Sequence, residues 1–144
     1  MGDLDVVRFA DRTQSVAVVL EDAAGGGPHE GWHEAGIEIE AGFVRAYLPL
    51  RFTDADLADL TGHLAARAAA EEDGALPDGS AVDWPEAGRS AYLRLCAADP
   101  FVVEVRDPVR SGVTVSVPLH LRDGWAARAL TRLDRLRAAL GEGR

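Results

Sequence analysis

Gly42-Phe43-Val44-Arg45-Ala46-Tyr47-Leu48-Pro49-Leu50-Arg51-Phe52-Thr53-Asp54 decides the reading of this chain, because its pattern returns in Gly112-Val113-Thr114-Val115-Ser116-Val117-Pro118-Leu119-His120-Leu121-Arg122-Asp123. Each stretch begins with Gly, runs as an apolar strand, ends on Pro-Leu-x-[Phe/Leu]-x-Asp and opens a helical pattern. The two blocks stand about half a chain length apart in 144 residues, with one gap needed between Gly and Pro. The spacing predicts a single domain over residues 1–144, made of two similar half-units, about 1–72 and 73–144.

Working outward from the first block, Ile37-Glu38-Ile39-Glu40 alternates apolar and charged residues, the mark of a strand with one buried face. Ala41-Gly42 reads as a tight hairpin turn into the return strand. Before it, Val6–Phe9 and Ser15–Leu20 read as two strands, and 22–36, centred on Gly25-Gly26-Gly27-Pro28, as an exposed loop. Beyond it, Thr53 can cap a helix with Asp54 and Asp56 in its first turn and an apolar stripe at Leu57, Leu60 and Leu64. The second half reads as a short strand at Ala81–Trp84, strands over Ser90–Cys96, Phe101–Arg106 and Val113–Leu121, and a final helix capped by Asp123. That helix carries Ala129, Leu133, Leu136 and Leu140 on one side. Hairpin-length connections make the strand pairs antiparallel. The expected class is α+β: an antiparallel sheet of seven to eight strands with two helices on one face and a pseudo-twofold internal repeat.

Composition bounds the function. With 47% hydrophobic and 27% charged residues the chain is ordinary for one globular core. Its longest apolar run is Val16–Leu20, far short of a membrane span, and the acidic start argues against a leader, so the expected location is cytoplasmic. Cys96 is the single cysteine, so there is no internal disulfide and no cysteine-based zinc site. All 15 basic residues are Arg, and the chain has neither Lys nor Asn, the usage of a high-GC bacterial genome. Without Lys there is no Schiff-base lysine and no phosphate-loop lysine. A net charge of −9 repels nucleic acid and anionic membrane and favours a basic protein partner.

One motif has the form of a catalytic site. His29-Glu30-Gly31-Trp32-His33 matches H-E-x-x-H, in which two histidines one helical turn apart bind zinc and the Glu activates the metal-bound water. The surrounding residues withhold the helix. Gly25-Gly26-Gly27-Pro28 precedes the motif, Gly31 interrupts it, an alternating strand follows, and the position of a third ligand is filled by Ile39. A metal-dependent hydrolase using His29, Glu30 and His33 is therefore the alternative reading. No nucleophile elbow, phosphate loop or cofactor motif is present, so no cofactor is expected. His63, His120 and the pair Glu38 and Glu40 read as surface or structural residues. On the last helix, Arg128, Arg132 and Arg135 follow at spacings of four and three, which places them on one face. It reads as a solvated face whose arginines pair with acids of the same molecule or, more sharply, as a docking stripe for an acidic partner or a second copy of this chain.

Several stretches resemble a family of short actinobacterial proteins known as a domain of unknown function. They are Val7-Arg8-Phe9-Ala10-Asp11, Ile37 through Leu50, Asp54-Ala55-Asp56-Leu57, Trp84 with Gly88-Arg89-Ser90, Val105-Arg106-Asp107-Pro108, Ser111-Gly112-Val113 and Val117-Pro118-Leu119 through Trp125. The resemblance covers nearly the whole chain and implies no catalytic residue. More distantly, the strand-rich layout is similar to that of small immunity proteins of bacterial toxin systems. Charge, the want of an assembled site and this likeness lead to one expectation: a non-enzymatic cytosolic protein that binds another protein, basic in charge, or forms a homodimer.

Overall fold

The two Pro-Leu blocks each close a run of strands and lead into a helix. The computed structural model describes residues 5–21, 31–75, 77–87 and 90–142. Its first half holds β1 (Asp5–Ala10), β2 (Ser15–Leu20), β3 (Trp32–Ala41), β4 (Val44–Thr53) and α1 (Asp54–Glu72). Its second half holds β5 (Ala81–Trp84), β6 (Tyr92–Cys96), β7 (Phe101–Asp107), β8 (Val113–Leu119) and α2 (Trp125–Glu142). The class is α+β, with every strand pairing antiparallel.

The strands form two four-stranded sheets, ordered β1-β2-β3-β4 and β5-β6-β7-β8, in place of the single sheet that the hairpin connections predict. Both Pro-Leu blocks fall on edge strands, β4 and β8, and their prolines supply the physical reason. Proline has no N–H to donate to a further strand, so a strand carrying one in its middle ends a sheet. The 19-residue helix α1 then carries the chain away before β5 begins a new sheet.

Two local expectations shift. Residues 32–36 lie within β3, so the strand takes up the end of the expected loop. The hairpin turn is Gly42-Phe43, not Ala41-Gly42, since Ala41 pairs with Val44. Gly42 has φ +58°, which suits Gly at the first central position of a two-residue hairpin.

The inner faces follow from register. Val16, Ile39 and Ala46 align across the first sheet, as do Val18, Ile37 and Leu48. Across the second, Val82, Leu95, Val103 and Val117 align, and beside them Trp84, Leu93, Val105 and Val115. These rows share one core with Leu57, Leu60 and Leu64 of α1 and Leu133 of α2. Each fully buried aliphatic side chain contributes about 1.5–3 kcal/mol. Trp84 rivets the halves: its Nε1 donates to the Asp56 carbonyl at 2.6 Å and its ring lies 5.5 Å from that of Phe52.

The helices pack on each other, with α1 reaching β4 and β5 while α2 reaches β1, so together they span both sheets. The start of α1 is a capping box, the Thr53 hydroxyl accepting from the Asp56 N–H at 3.1 Å and Asp56 Oδ2 from the Thr53 N–H at 2.8 Å. Asp123 does not cap α2. That helix starts after Gly124, whose φ is +80° and whose N–H donates to Glu71 Oε2 at 2.9 Å, tying the end of α1 to the start of α2.

Candidate functional site

Of the H-E-x-x-H motif, His29 and Glu30 lie outside the described residues. His33 lies on β3, whereas the zinc-protease geometry needs it on a helix with the other two. Its ring faces inward, 5.2 Å from Phe52, and its Nε2 sits 2.7 Å from Asp54 Oδ1 at the first turn of α1. That position makes it a joint between strand and helix. Among the described residues, no group of three or more His, Cys, Asp or Glu side chains is placed to hold a metal ion.

Arg128, Arg132 and Arg135 are exposed on α2, beside a buried line formed by Ala126, Leu133 and the half-buried Ala129 and Leu136. Arg132 reaches Asp5 Oδ2 at 3.7 Å. Arg128 Nη1 donates to the Asp123 carbonyl at 2.9 Å.

The β1–β2 turn meets the end of β8 through hydrogen bonds that separate in sequence and converge in space. Asp11 Oδ1 accepts from the N–H groups of Thr13 at 2.8 Å and Gln14 at 2.9 Å, while Oδ2 accepts from the His120 N–H at 2.9 Å. Gln14 Nε2 donates to the Pro118 carbonyl at 2.8 Å. Desolvation raises the Asp11 pKa, but the three backbone donors outweigh it and hold the carboxyl at about 2, so it is ionised across the physiological range. Above this latch opens a cleft of about 590 Å³ lined by Arg12, His120, Arg122, Trp125 and Arg128. Trp125, which lines it, is braced from behind by Phe9 at 5.7 Å and Phe101 at 5.0 Å between ring centres.

A second distinctive surface is the outer face of the β3–β4 hairpin. Gly36 is buried there because the Tyr47 ring lies over it; a Cβ on Gly36 would come within 2.1 Å of Tyr47 Cζ. The Tyr47 hydroxyl donates to Glu21 Oε1. Desolvation, that bond and the charges of Glu21 and Glu38 push the phenol up to about 12. Nearby, the Arg51 guanidinium sits 5.3 Å from the centre of the Trp32 ring, and Phe43 at the hairpin tip is fully exposed.

The model of a family of unknown function, DUF5959, matches residues 4–141 of this chain, nearly its whole length. The chain belongs to the DUF5959 family. No curated protein and no solved structure matches it.

In this DUF5959 protein the sequence reading found Arg128 but missed Arg12, His120 and Arg122 as its neighbours in the cleft. Nothing in spacing joins a turn residue near the start of the chain to a connection far along it, since Asp11 and His120 are 109 positions apart. Gly36 carried the one available signal of the Tyr47 platform: an isolated glycine within a strand pattern marks a close approach.

Proposed function

We propose that this DUF5959 protein is a binding protein without chemistry of its own, and that it takes a basic partner protein on the outer face of the β3–β4 hairpin. The observation that carries this reading is Tyr47, held flat over Gly36 and still half-exposed, with Trp32 under Arg51 and Phe43 bare at the hairpin tip. Tyr, Trp and Arg are the side chains that dominate binding energy at protein interfaces, and a ring already fixed in place loses little entropy on docking. Glu34, Glu38 and Glu40 share this face, and the net charge of −9 steers a basic partner towards it. An immunity-like role in the cytoplasm, neutralising a basic toxin encoded by a neighbouring gene, fits that charge and the strand-rich layout.

The test is to purify the product of each flanking gene and measure binding by calorimetry. A Tyr47→Ala, Trp32→Ala double variant is expected to weaken the complex about a hundredfold or more, from two hot-spot truncations. Raising salt should slow association. Wild-type affinity in the double variant ends the hairpin reading, and stoichiometric zinc in untagged protein, lost in His33→Ala, favours the hydrolase alternative.

A second reading is favoured by Arg135, which has no acidic partner among the described residues. The stripe of Arg128, Arg132 and Arg135 would take a second copy of this acidic chain. Replacing all three with Gln should then lower the sedimentation coefficient, and an unchanged value removes this reading. The pseudo-twofold repeat belongs with these proposals: Leu50 and Leu119, at matching places in the two Pro-Leu blocks, are both buried. Superposition of β4–α1 on β8–α2 tests it directly.

A further inference from the structure

The cleft at the start of α2 differs in charge from the chain around it. Acidic residues outnumber Arg by 24 to 15, so a guanidinium left without a carboxylate goes against the composition. Yet Arg12 and Arg122, which line this cleft, have no acidic partner among the described residues, and Arg128 bonds only to a backbone carbonyl. The one carboxylate in the lining, Asp11, is occupied by backbone N–H groups on both oxygens. It holds the two walls of the cleft together, the β1–β2 turn on one side and the β8–α2 connection on the other.

We infer that this cleft binds a small polyanion of the di- or triphosphate class. Guanidinium forks match phosphate oxygens in pairs, and three of them balance the charge of such a ligand. A volume of about 590 Å³ falls within the usual range for small-molecule sites, about 300–1,000 Å³. Size follows from the global field. An extended nucleic acid would meet the whole charge of −9, whereas a compact anion feels mainly the charges within a Debye length, about 8 Å. The cleft on the other side of His120 and Arg122 is less favourable to an anion, because Glu71, Asp99 and Asp123 line it beside Arg67 and Arg122, and Glu71 Oε1 is buried there without a donor among the described residues. An anion is directed to the Arg12 side. Arg128 belongs also to the α2 stripe, but Arg12 and Arg122 lie outside both that stripe and the hairpin face, so variants at these two separate this inference from both docking readings.

Calorimetric titration of the full chain with inorganic pyrophosphate, ADP and inorganic phosphate tests it. Pyrophosphate and ADP should bind saturably at one site, with inorganic phosphate at least about tenfold weaker for lack of the second phosphate. Tighter binding of ADP than of pyrophosphate identifies a nucleotide, with its base against Trp125; equal binding identifies the phosphates alone. Arg12→Gln and Arg122→Gln should each weaken pyrophosphate about tenfold or more, the loss of one charged hydrogen-bond donor. Arg122→Lys keeps the charge without the fork and should fall between. Arg135→Gln, outside the cleft, should leave affinity unchanged. Failure of both ligands to saturate at millimolar concentration overturns the inference. So does an equal loss in Arg135→Gln, which would reduce the effect to diffuse charge. Unchanged melting temperatures in the variants verify that each is folded.

Discussion

The outer faces of the two sheets share a strand layout and part company in chemistry. On the second sheet, Asp83 takes Arg94 through two hydrogen bonds of 2.7 and 3.1 Å, and Glu104 takes Arg106 at 2.7 Å. Arg94 holds the Asp83 carboxyl below its ordinary range. Charges there satisfy one another, Asp83 and Arg94 across β5 and β6 and Glu104 and Arg106 along β7, and little is left to offer a partner. On the first sheet Arg45 pairs with Glu40 at 3.2 Å and Arg8 approaches Glu38 at 3.9 Å, but Arg51 lies over a Trp ring rather than against an acid, Tyr47 is spread across a glycine, and Phe43 is bare. A face whose polar groups are mutually bonded is inert, and one whose aromatic rings are fixed but uncovered is prepared to bind. On the proposed reading, recognition falls to the first half and support to the second.

The largest expected effect tests whether the halves are one unit at all. Leu133→Ala removes a fully buried side chain from α2 and should cost about 2–5 kcal/mol. Because both sheets feed a single core, far-ultraviolet dichroism and tryptophan fluorescence should report one coincident unfolding transition; two separated transitions would break the chain into independent halves. Next, Asp11→Ala unlatches the β1–β2 turn from the end of β8 and should cost about 1–2 kcal/mol, as the loss of a charged acceptor and its capping bonds. Its pH signature is fixed in sign. With the folded pKa lowered from 3.8 to about 2, the latch's contribution is complete above about pH 4 and disappears as pH falls towards 2. Acid unfolding curves of wild type and Asp11→Ala should therefore converge across that window.

Smaller effects separate the two outer faces. Gly36→Ala should lift the Tyr47 ring off β3, so that an ultraviolet titration finds the phenol moved from about 12 back towards the ordinary value of 10. Persistence of the high value would mean that Glu21 alone holds it. Stability should change by about 1 kcal/mol, since the displaced ring is the far end of a half-exposed side chain. Smallest of all, Asp83→Asn on the second sheet should cost about 0–1 kcal/mol, the range of partly exposed ion pairs, and should leave partner affinity unaltered. A loss of binding in Asp83→Asn would reverse the assignment of the two faces.

Much of the fold was legible because its signals are local. Thr53 and Asp56 are three positions apart, and Leu57, Leu60 and Leu64 are three and four, so the helix start and its buried stripe can be read within two turns. The alternation of Ile37, Glu38, Ile39 and Glu40 fixes both the strand and its facing. The division into two sheets was also written locally, in Pro49 and Pro118, but edge placement had to be drawn from proline chemistry and not from counting hairpins. The candidate sites were far less legible. Arg12, Arg122 and Arg128 share a cleft only because Asp11 and Gln14 bond to the end of β8, and contacts between distant segments leave no periodicity. The H-E-x-x-H motif errs the other way: its spacing is right, but spacing has meaning only on a helix, and His33 stands on a strand.

Pro118 has a further consequence. Along a strand, one residue's N–H and C=O point to the same side, and the Pro118 carbonyl is taken by Gln14. At that position the free margin of β8 has neither a donor nor an available acceptor for a foreign backbone. Pro49 likewise deprives β4 of a donor, two residues from the uncovered ring of Tyr47 on a hairpin whose tip bears the bare Phe43. Such rings beside an open strand margin would invite copies of the chain to zip together into fibres. With proline on both margins, the protein can display sticky aromatic surface and remain resistant to amyloid-like growth.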